Sequence, residues 1–438
     1  MPTKFLKKWP KRFFPVLSLS KSPTMTLAHA DQSARLDTKT VIIVFLAFAA
    51  AYFCSALVRA ITATLSPVLT QDFALQARDL GLLAGGYFLG FAAIQLPLGT
   101  LLDKHGPKRV ILCFLSLAVV GCVAFSMASS FTWLLGARVL LGMGVGACLM
   151  APLTGYRRWF DASTLLRANS WMLMTGSLGM LSSTLPVQWL VPLLGWRALF
   201  WIMAALILLS MVAIAWVVPK WSIETHPEAD VSPGYAEIWK NRYFQRMSPL
   251  AFFNYGGMVA VQTLWAAPWM VKVAGYTALE AATGLFFINA VMLVTFWGWG
   301  MLNPRLLRHG WNTNRLLTWG VPLSLVVLAF NIAAGPSTGW LGWALFCMSS
   351  SVMGLAQPAV GMAFQASLAG RALSGYNLVI FSGVFVVQWG VGLLIDAFQT
   401  LGLSQLVSFQ GAMAVFLCCS TASYLYFVSS ATAKVDNL

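Results

Sequence analysis

Arg59 lies inside a long apolar run, with Tyr52 and Ser55 before it and Thr62 and Ser66 after it at helical spacing. On one α-helix these five side chains share a face. Holding a guanidinium at bilayer depth costs about 2.5–3.5 kcal/mol even on insertion-based scales, so it needs a partner or a wet cavity. No Asp or Glu occurs in the central part of any apolar run. Asp72, Asp79, Glu280 and Asp396 fall near the ends of runs, and Asp103 sits at a polar junction. The planar fork of an arginine without a fixed acid matches a carboxylate or a phosphate. Arg59, with Tyr52 and Ser55 beside it, is therefore the first candidate for holding an anionic ligand. The competing reading leaves its guanidinium on backbone carbonyls and water.

Other polar residues inside apolar runs extend this candidate site. Tyr87 and Gln95 are eight residues apart; Asn254, Gln262 and Trp265 share a predicted helix face, as do Asn377, Phe381 and Gln388. Each can contact a ligand or make an interhelical hydrogen bond worth about 0.6 kcal/mol. Arg138 is a second intramembrane cation, followed by Gly142, Gly144 and Gly146, whose small side lets helices approach closely.

Several chemistries find no residues to carry them. The seven cysteines all fall in apolar runs without metal-site spacing, and the four histidines lie in tails or connections, so no metal or cofactor is expected. No Gly-rich phosphate loop ending in Lys-Ser/Thr occurs, which argues against an ATP-driven pump. A membrane acyl- or glycosyltransferase would need a polar loop rich in acids or histidines, and the outer loops are short and poor in both.

The elements that position these residues are membrane helices. The chain has 438 residues, 59% hydrophobic and 9% charged, against roughly 25% charged in soluble domains. Its apolar runs match a hydrocarbon core about 30 Å thick, and they lack the short alternation of a β-barrel. Twelve spans are predicted at 41–68, 78–102, 110–130, 131–156, 167–192, 196–218, 246–273, 277–302, 315–334, 338–366, 371–397 and 406–430. Residues 1–40 form a basic tail, 219–245 the central linker and 431–438 a short tail. The start resembles a signal peptide with Ala28-His29-Ala30, but Lys21 and Pro23 interrupt its apolar core. Met25 is an alternative start.

The net charge of +15 follows topology rather than a nucleic-acid partner. With the tail and every even-numbered connection in the cytoplasm, 23 of the 28 Lys and Arg residues lie on that side and three (Arg78, Arg197, Lys272) on the other. The positive-inside rule then puts both termini in the cytoplasm of a multi-pass inner-membrane protein. The bilayer and a small-molecule substrate are the expected partners, and a monomer the expected state. The halves also echo each other: Lys104-His105-Gly106 and Arg308-His309-Gly310 occupy equivalent connections 204 residues apart.

Gly99, Asp103, Lys104, Gly106, Lys108 and Arg109, in the order G-x-x-x-D-K-x-G-x-K-R, resemble the loop signature of the major facilitator superfamily. Arg138 with Gly142 and Gly144 is similar to its R-x-x-x-G-x-G element, and Gly195-Trp196-Arg197 is also typical. The resemblance spans essentially the whole chain. It implies an all-α membrane protein of twelve helices in two pseudo-symmetric six-helix bundles, transporting solute by alternating access rather than acting as an enzyme. It also implies gating roles for Asp103, Gly106, Lys108, Arg109, Arg138 and Gly142. Asp103 would accept hydrogen bonds from the start of helix 11, near Arg371 to Gly375, with Arg157 or Arg158 joining in. Leu307 replaces the aspartate in the second half.

Within the superfamily, organophosphate carriers resemble this chain in a helix-1 arginine after a short apolar run (Leu57, Val58). They also use an arginine in helix 7, where this chain has Asn254, Tyr255, Gln262 and Trp265, a departure that argues against a phosphorylated substrate. Proton-coupled drug exporters carry a Gly-Pro pair in helix 5 that the stretch Gly176 to Pro186 lacks. A small organic anion moved by facilitated diffusion or exchange is the favoured expectation. Drug–proton antiport is the alternative, and a non-transporting receptor on the same fold is the third reading.

Overall fold

In the computed structural model, residues 36–219 and 235–430 are described. Residues 1–35 of the predicted basic tail, with its signal-like start, most of the linker and the last eight residues lie outside them, and the end of that predicted tail is already helical from Thr38. Because lipid satisfies no backbone hydrogen bond, apolar runs of this length close their own bonds as helices. Seventeen α-helices follow in order: α1 Thr38–Phe73, α2 Ala77–Ala93, α3 Gln95–Ser126, α4 Phe131–Val145, α5 Met150–Trp159, α6 Ala162–Ser182, α7 Leu185–Val217, α8 Tyr235–Lys240, α9 Arg242–Leu250, α10 Gly256–Ala260, α11 Ala266–Lys272, α12 Ala278–Arg308, α13 Thr313–Ala334, α14 Trp340–Ser350, α15 Ala356–Met362, α16 Ala366–Thr400 and α17 Gln405–Ser429. Among the described residues, nine helical stretches are long and apolar enough to cross a membrane.

Polar residues at the breaks start the helices. Ser130, Asn312 and Ser404 accept from backbone N–H groups three residues on, and Gln76 with Asp79 forms a capping box. The outward surface is apolar, with Trp216 84%, Trp319 72% and Phe330 69% exposed, whereas Arg138, Gln388 and Asn331 are buried. That distribution suits a lipid surround.

Two long helices each join two pieces at a glycine of left-handed φ, α3 at Gly106 (φ 75°) and α7 at Gly195 (φ 76°). Left-handed positions recur in the second half at Gly310 and Gly402, while Ala74 matches Gly275. The three pairs lie 204, 207 and 201 residues apart, so the chain turns in the same places twice.

Several predicted spans are interrupted. The second breaks at Ile94 between α2 and α3, and the tenth contains a 3₁₀ turn at Ser351–Leu355. The fifth breaks at Ser183 and Thr184, before Pro186, whose ring removes an N–H donor. The carbonyl of Ser183 is then satisfied by the Thr64 hydroxyl at 2.8 Å. The seventh carries two π-helical turns, Ala251–Tyr255 and Val261–Trp265.

α1, α3, α4, α6 and α7 pack among themselves, and α13, α14, α16 and α17 do likewise. The two sets meet where α2 runs along α16, where α1 meets Val261–Lys272, and where α6 and α7 meet α12. Gly81, Gly85 and Gly392 bring backbones into contact along the α2–α16 seam.

Candidate functional site

Arg59 keeps accessible surface although Leu57, Val58 and Ala60 around it are buried. Its electrostatic neighbours are Tyr87 from α2, Tyr52 from α1 and Tyr255 from the first π turn. The guanidinium carbon lies 5.5 Å from the centroid of the Phe91 ring, within cation–π range. Among the described residues Arg59 makes no ion pair, and its buried Nε has no hydrogen-bond partner. This cation lacks an acid, lies in the fields of three tyrosines drawn from both sets of helices, and keeps part of its surface uncovered.

Arg138 occupies the role the competing reading gave to Arg59. It is fully buried and donates to the carbonyls of Val58 (2.9 Å) and Arg59 (3.3 Å), with its guanidinium 4.9 Å over the Tyr87 ring. Arg138 ties α4 to α1 directly behind Arg59. Gly142 lets the same helix approach α2, because a Cβ there would collide with the carbonyl of Tyr87.

The remaining predicted site residues are distributed differently. Ser55 contributes its carbonyl to a long hydrogen bond from the Tyr87 hydroxyl, 3.5 Å, while its own hydroxyl is buried. Gln95 turns back onto the Phe91 carbonyl at 3.2 Å, and the break at Ile94 interrupts the face expected to join it to Tyr87.

Asn254, Gln262 and Trp265 do not share a face. Asn254 donates to Ser420 and Ser423 of α17, Gln262 to Asn289 of α12, and Trp265 to the Gln388 carbonyl of α16. Each π turn inserts an extra residue and slips the 3.6-residue phase on which the prediction stood. Asn377 accepts from Gln357, and Gln388 donates to Thr263. These amides hold helices together.

Sequence reasoning left Tyr255 outside the candidate set and gave Phe91 and Phe88 no role. Phe381 stacks on Phe88 (6.0 Å) and meets Phe91 (4.5 Å), closing the α2–α16 seam beside Arg59. The adjacency of Tyr255 to Asn254 was the only sequence signal for it. Of the aromatic seam only Phe381 had a signal, on the face predicted with Asn377 and Gln388.

At the signature loop, Gly106 takes the left-handed turn, and Lys108 donates to the carbonyl of Val218 at 2.7 Å, closing the end of α7. Arg109 is exposed. Asp103 is exposed too, and among the described residues it accepts no hydrogen bond from the start of α16. Tyr235 lies in the fields of both Asp103 and Arg371, and its hydroxyl donates to the Leu96 carbonyl at 3.0 Å. Burial pushes the Tyr235 phenol up, Arg371 pulls it down and Asp103 pushes it up again. The phenol stays a donor at neutral pH.

Among the described residues no group of His, Cys, Asp and Glu could hold a metal.

Known proteins extend the picture. Residues 48–388 match the profile of the Major Facilitator Superfamily. The multidrug resistance protein MdtL of Escherichia coli O157:H7 is 26% identical over 375 residues, covering 77% of this chain and 90% of MdtL. The probable sulfoacetate transporter SauU of Cupriavidus necator is 24% identical over 253 residues, 53% of this chain and 57% of SauU. A bacterial homologue of the human lysosomal transporter Spinster, solved inward-facing and unoccupied, superposes with a TM-score of 0.73 at 16% identity, covering 90% of this chain and 98% of that one. The D-xylose–proton symporter gives 0.70 at 13% identity, over 88% and 97%. With its profile matched from α1 into α16 and its helices arranged as in those solved transporters, the chain belongs to the Major Facilitator Superfamily and is a multi-pass membrane transporter.

Proposed function

We propose that this transporter carries a small organic anion across the inner membrane by alternating access, with Arg59 as the group that holds the charge. In this reading the chain makes twelve passages in two six-helix bundles, acts as a monomer and keeps both termini in the cytoplasm. The single observation that carries it is a guanidinium without an acid partner, in the fields of Tyr52, Tyr87 and Tyr255 and 5.5 Å from the Phe91 ring, where the two helix sets meet. Phenols can donate to an oxyanion already paired with the guanidinium, and such charge-assisted bonds are the strong ones. Rocking of one set against the other about this midplane site then exposes it to either side.

The test is uptake of labelled anions into reconstituted vesicles by wild type, Arg59→Lys and Arg59→Ala. A hydrogen bond to a charged group is worth about 1.5–3 kcal/mol, so Arg59→Ala should lower apparent affinity about tenfold or more, and Arg59→Lys less. Unchanged transport would remove Arg59 from the site.

Drug–proton antiport is the second reading, favoured by the likeness to MdtL. The missing Gly-Pro pair in helix 5 weighs against it.

A further inference from the structure

We infer that the space around Arg59 selects singly charged anions with a flat apolar body, such as aromatic monocarboxylates, over dianions, phosphate and polyhydroxylated solutes. The inference rests on the reading of Arg59 as the anion-binding group and narrows its ligand.

The charge follows from counting available cations. The apolar interior of the described spans holds two arginines. Arg138 is committed to the Val58 and Arg59 carbonyls and to the Tyr87 ring. Arg59 alone can face a ligand. A second negative charge brought into this desolvated space would have no counter-ion, and an unpaired buried charge is strongly unfavourable.

The body follows from the amides. A polyhydroxylated solute is held by several free donors and acceptors, because unmatched hydroxyls are costly to bury. Here Asn254, Gln262, Asn377 and Gln388 all spend side-chain amide atoms on neighbouring helices, and the Gln388 Oε1 that stays unpaired is a single acceptor, too little for a polyhydroxylated solute. The groups beside Arg59 are phenol rings and the Phe91–Phe381 pair, whose centroids are 4.5 Å apart. Rings of that kind favour a flat apolar partner through stacked or edge-on contact.

Purified protein is titrated with benzoate, benzamide, acetate, phthalate, inorganic phosphate and D-xylose, with binding read by calorimetry. Wild type, Arg59→Ala, Arg59→Lys and Phe381→Leu are compared, the last two guarding against loss of fold. Benzoate should bind at least tenfold more tightly than every other probe. Arg59→Ala should weaken it tenfold or more, Arg59→Lys less, and Phe381→Leu should weaken benzoate while leaving acetate unchanged. Arg59-dependent binding of phthalate, phosphate or acetate that equals or exceeds benzoate overturns the inference and leaves the anion reading standing. Binding of every anion that is absent or indifferent to Arg59 overturns the anion reading itself, and the inference with it.

Discussion

Asp396, near the end of α16, accepts the backbone N–H of Arg78 at 2.9 Å through Oδ2, and its Oδ1 accepts that of Ala77 at 3.1 Å. Both donors belong to the first turn of α2, where N–H groups have no partner within the helix and the helix dipole favours an anion. The carboxylate thus pins one end of the α2–α16 seam, where Gly392 also lets the α16 backbone touch that of Ala77.

Asp396→Ala should open this face. The bonds are partly solvated, so about 1–2 kcal/mol is expected, a shift of about 5–30-fold in the conformational equilibrium. Spin labels at the exposed positions Gln71 and Thr400 should show a longer-distance population in Asp396→Ala and an intermediate one in Asp396→Asn. Unchanged distance distributions would show that the seam closes without the carboxylate.

Arg138 should be a stability residue and Arg59 a binding residue. Arg138→Ala removes two bonds to α1 carbonyls, each worth about 1–3 kcal/mol when a buried group is left unpaired. The melting temperature of the purified protein should fall clearly for Arg138→Ala, less for Arg138→Lys, and little for Arg59→Ala. Equal losses at both arginines would contradict this division.

Gly142→Ala should destabilise the protein by about 1–3 kcal/mol by forcing α4 away from the Tyr87 carbonyl. Gly136→Ala on the same helix meets nothing within 4 Å. It should be neutral or stabilising by up to about 1 kcal/mol through helix propensity. Thermal unfolding of the two variants side by side separates packing from propensity.

Transport should not move protons. The described acids lie at helix ends, and no carboxylate or imidazole stands among the neighbours of Arg59. Substrate-driven flux into proteoliposomes carrying a pH-sensitive dye should leave lumenal pH unchanged, and a protonophore should not alter the initial rate. Acidification coupled to flux would return drug–proton antiport to first place.

Much was legible in the chain because the controlling physics is local. Apolar run length decides that helices cross the bilayer, and polar breaks decide where they start. The turn glycines Gly106 and Gly310 were visible as paired tripeptides, and each takes a left-handed φ. Arg59 stood out because a charge in an apolar run is costly wherever the helix packs.

What the tertiary structure decided was partnership. Asn254, Gln262, Asn377 and Gln388 looked like candidates for ligand contact, yet each finds its partner on another helix, in most cases many residues away, and no periodicity reveals such a pairing. The π turns at Ala251–Tyr255 and Val261–Trp265 slip the phase that sequence spacing assumes. The capping of a helix start by an acid was expected at Asp103 and occurs at Asp396, because it depends on which helix end faces which carboxylate across the seam. Hydrophobic length is written along the chain, whereas hydrogen-bond partners are set between helices, and only their packing chose which polar groups remain beside Arg59.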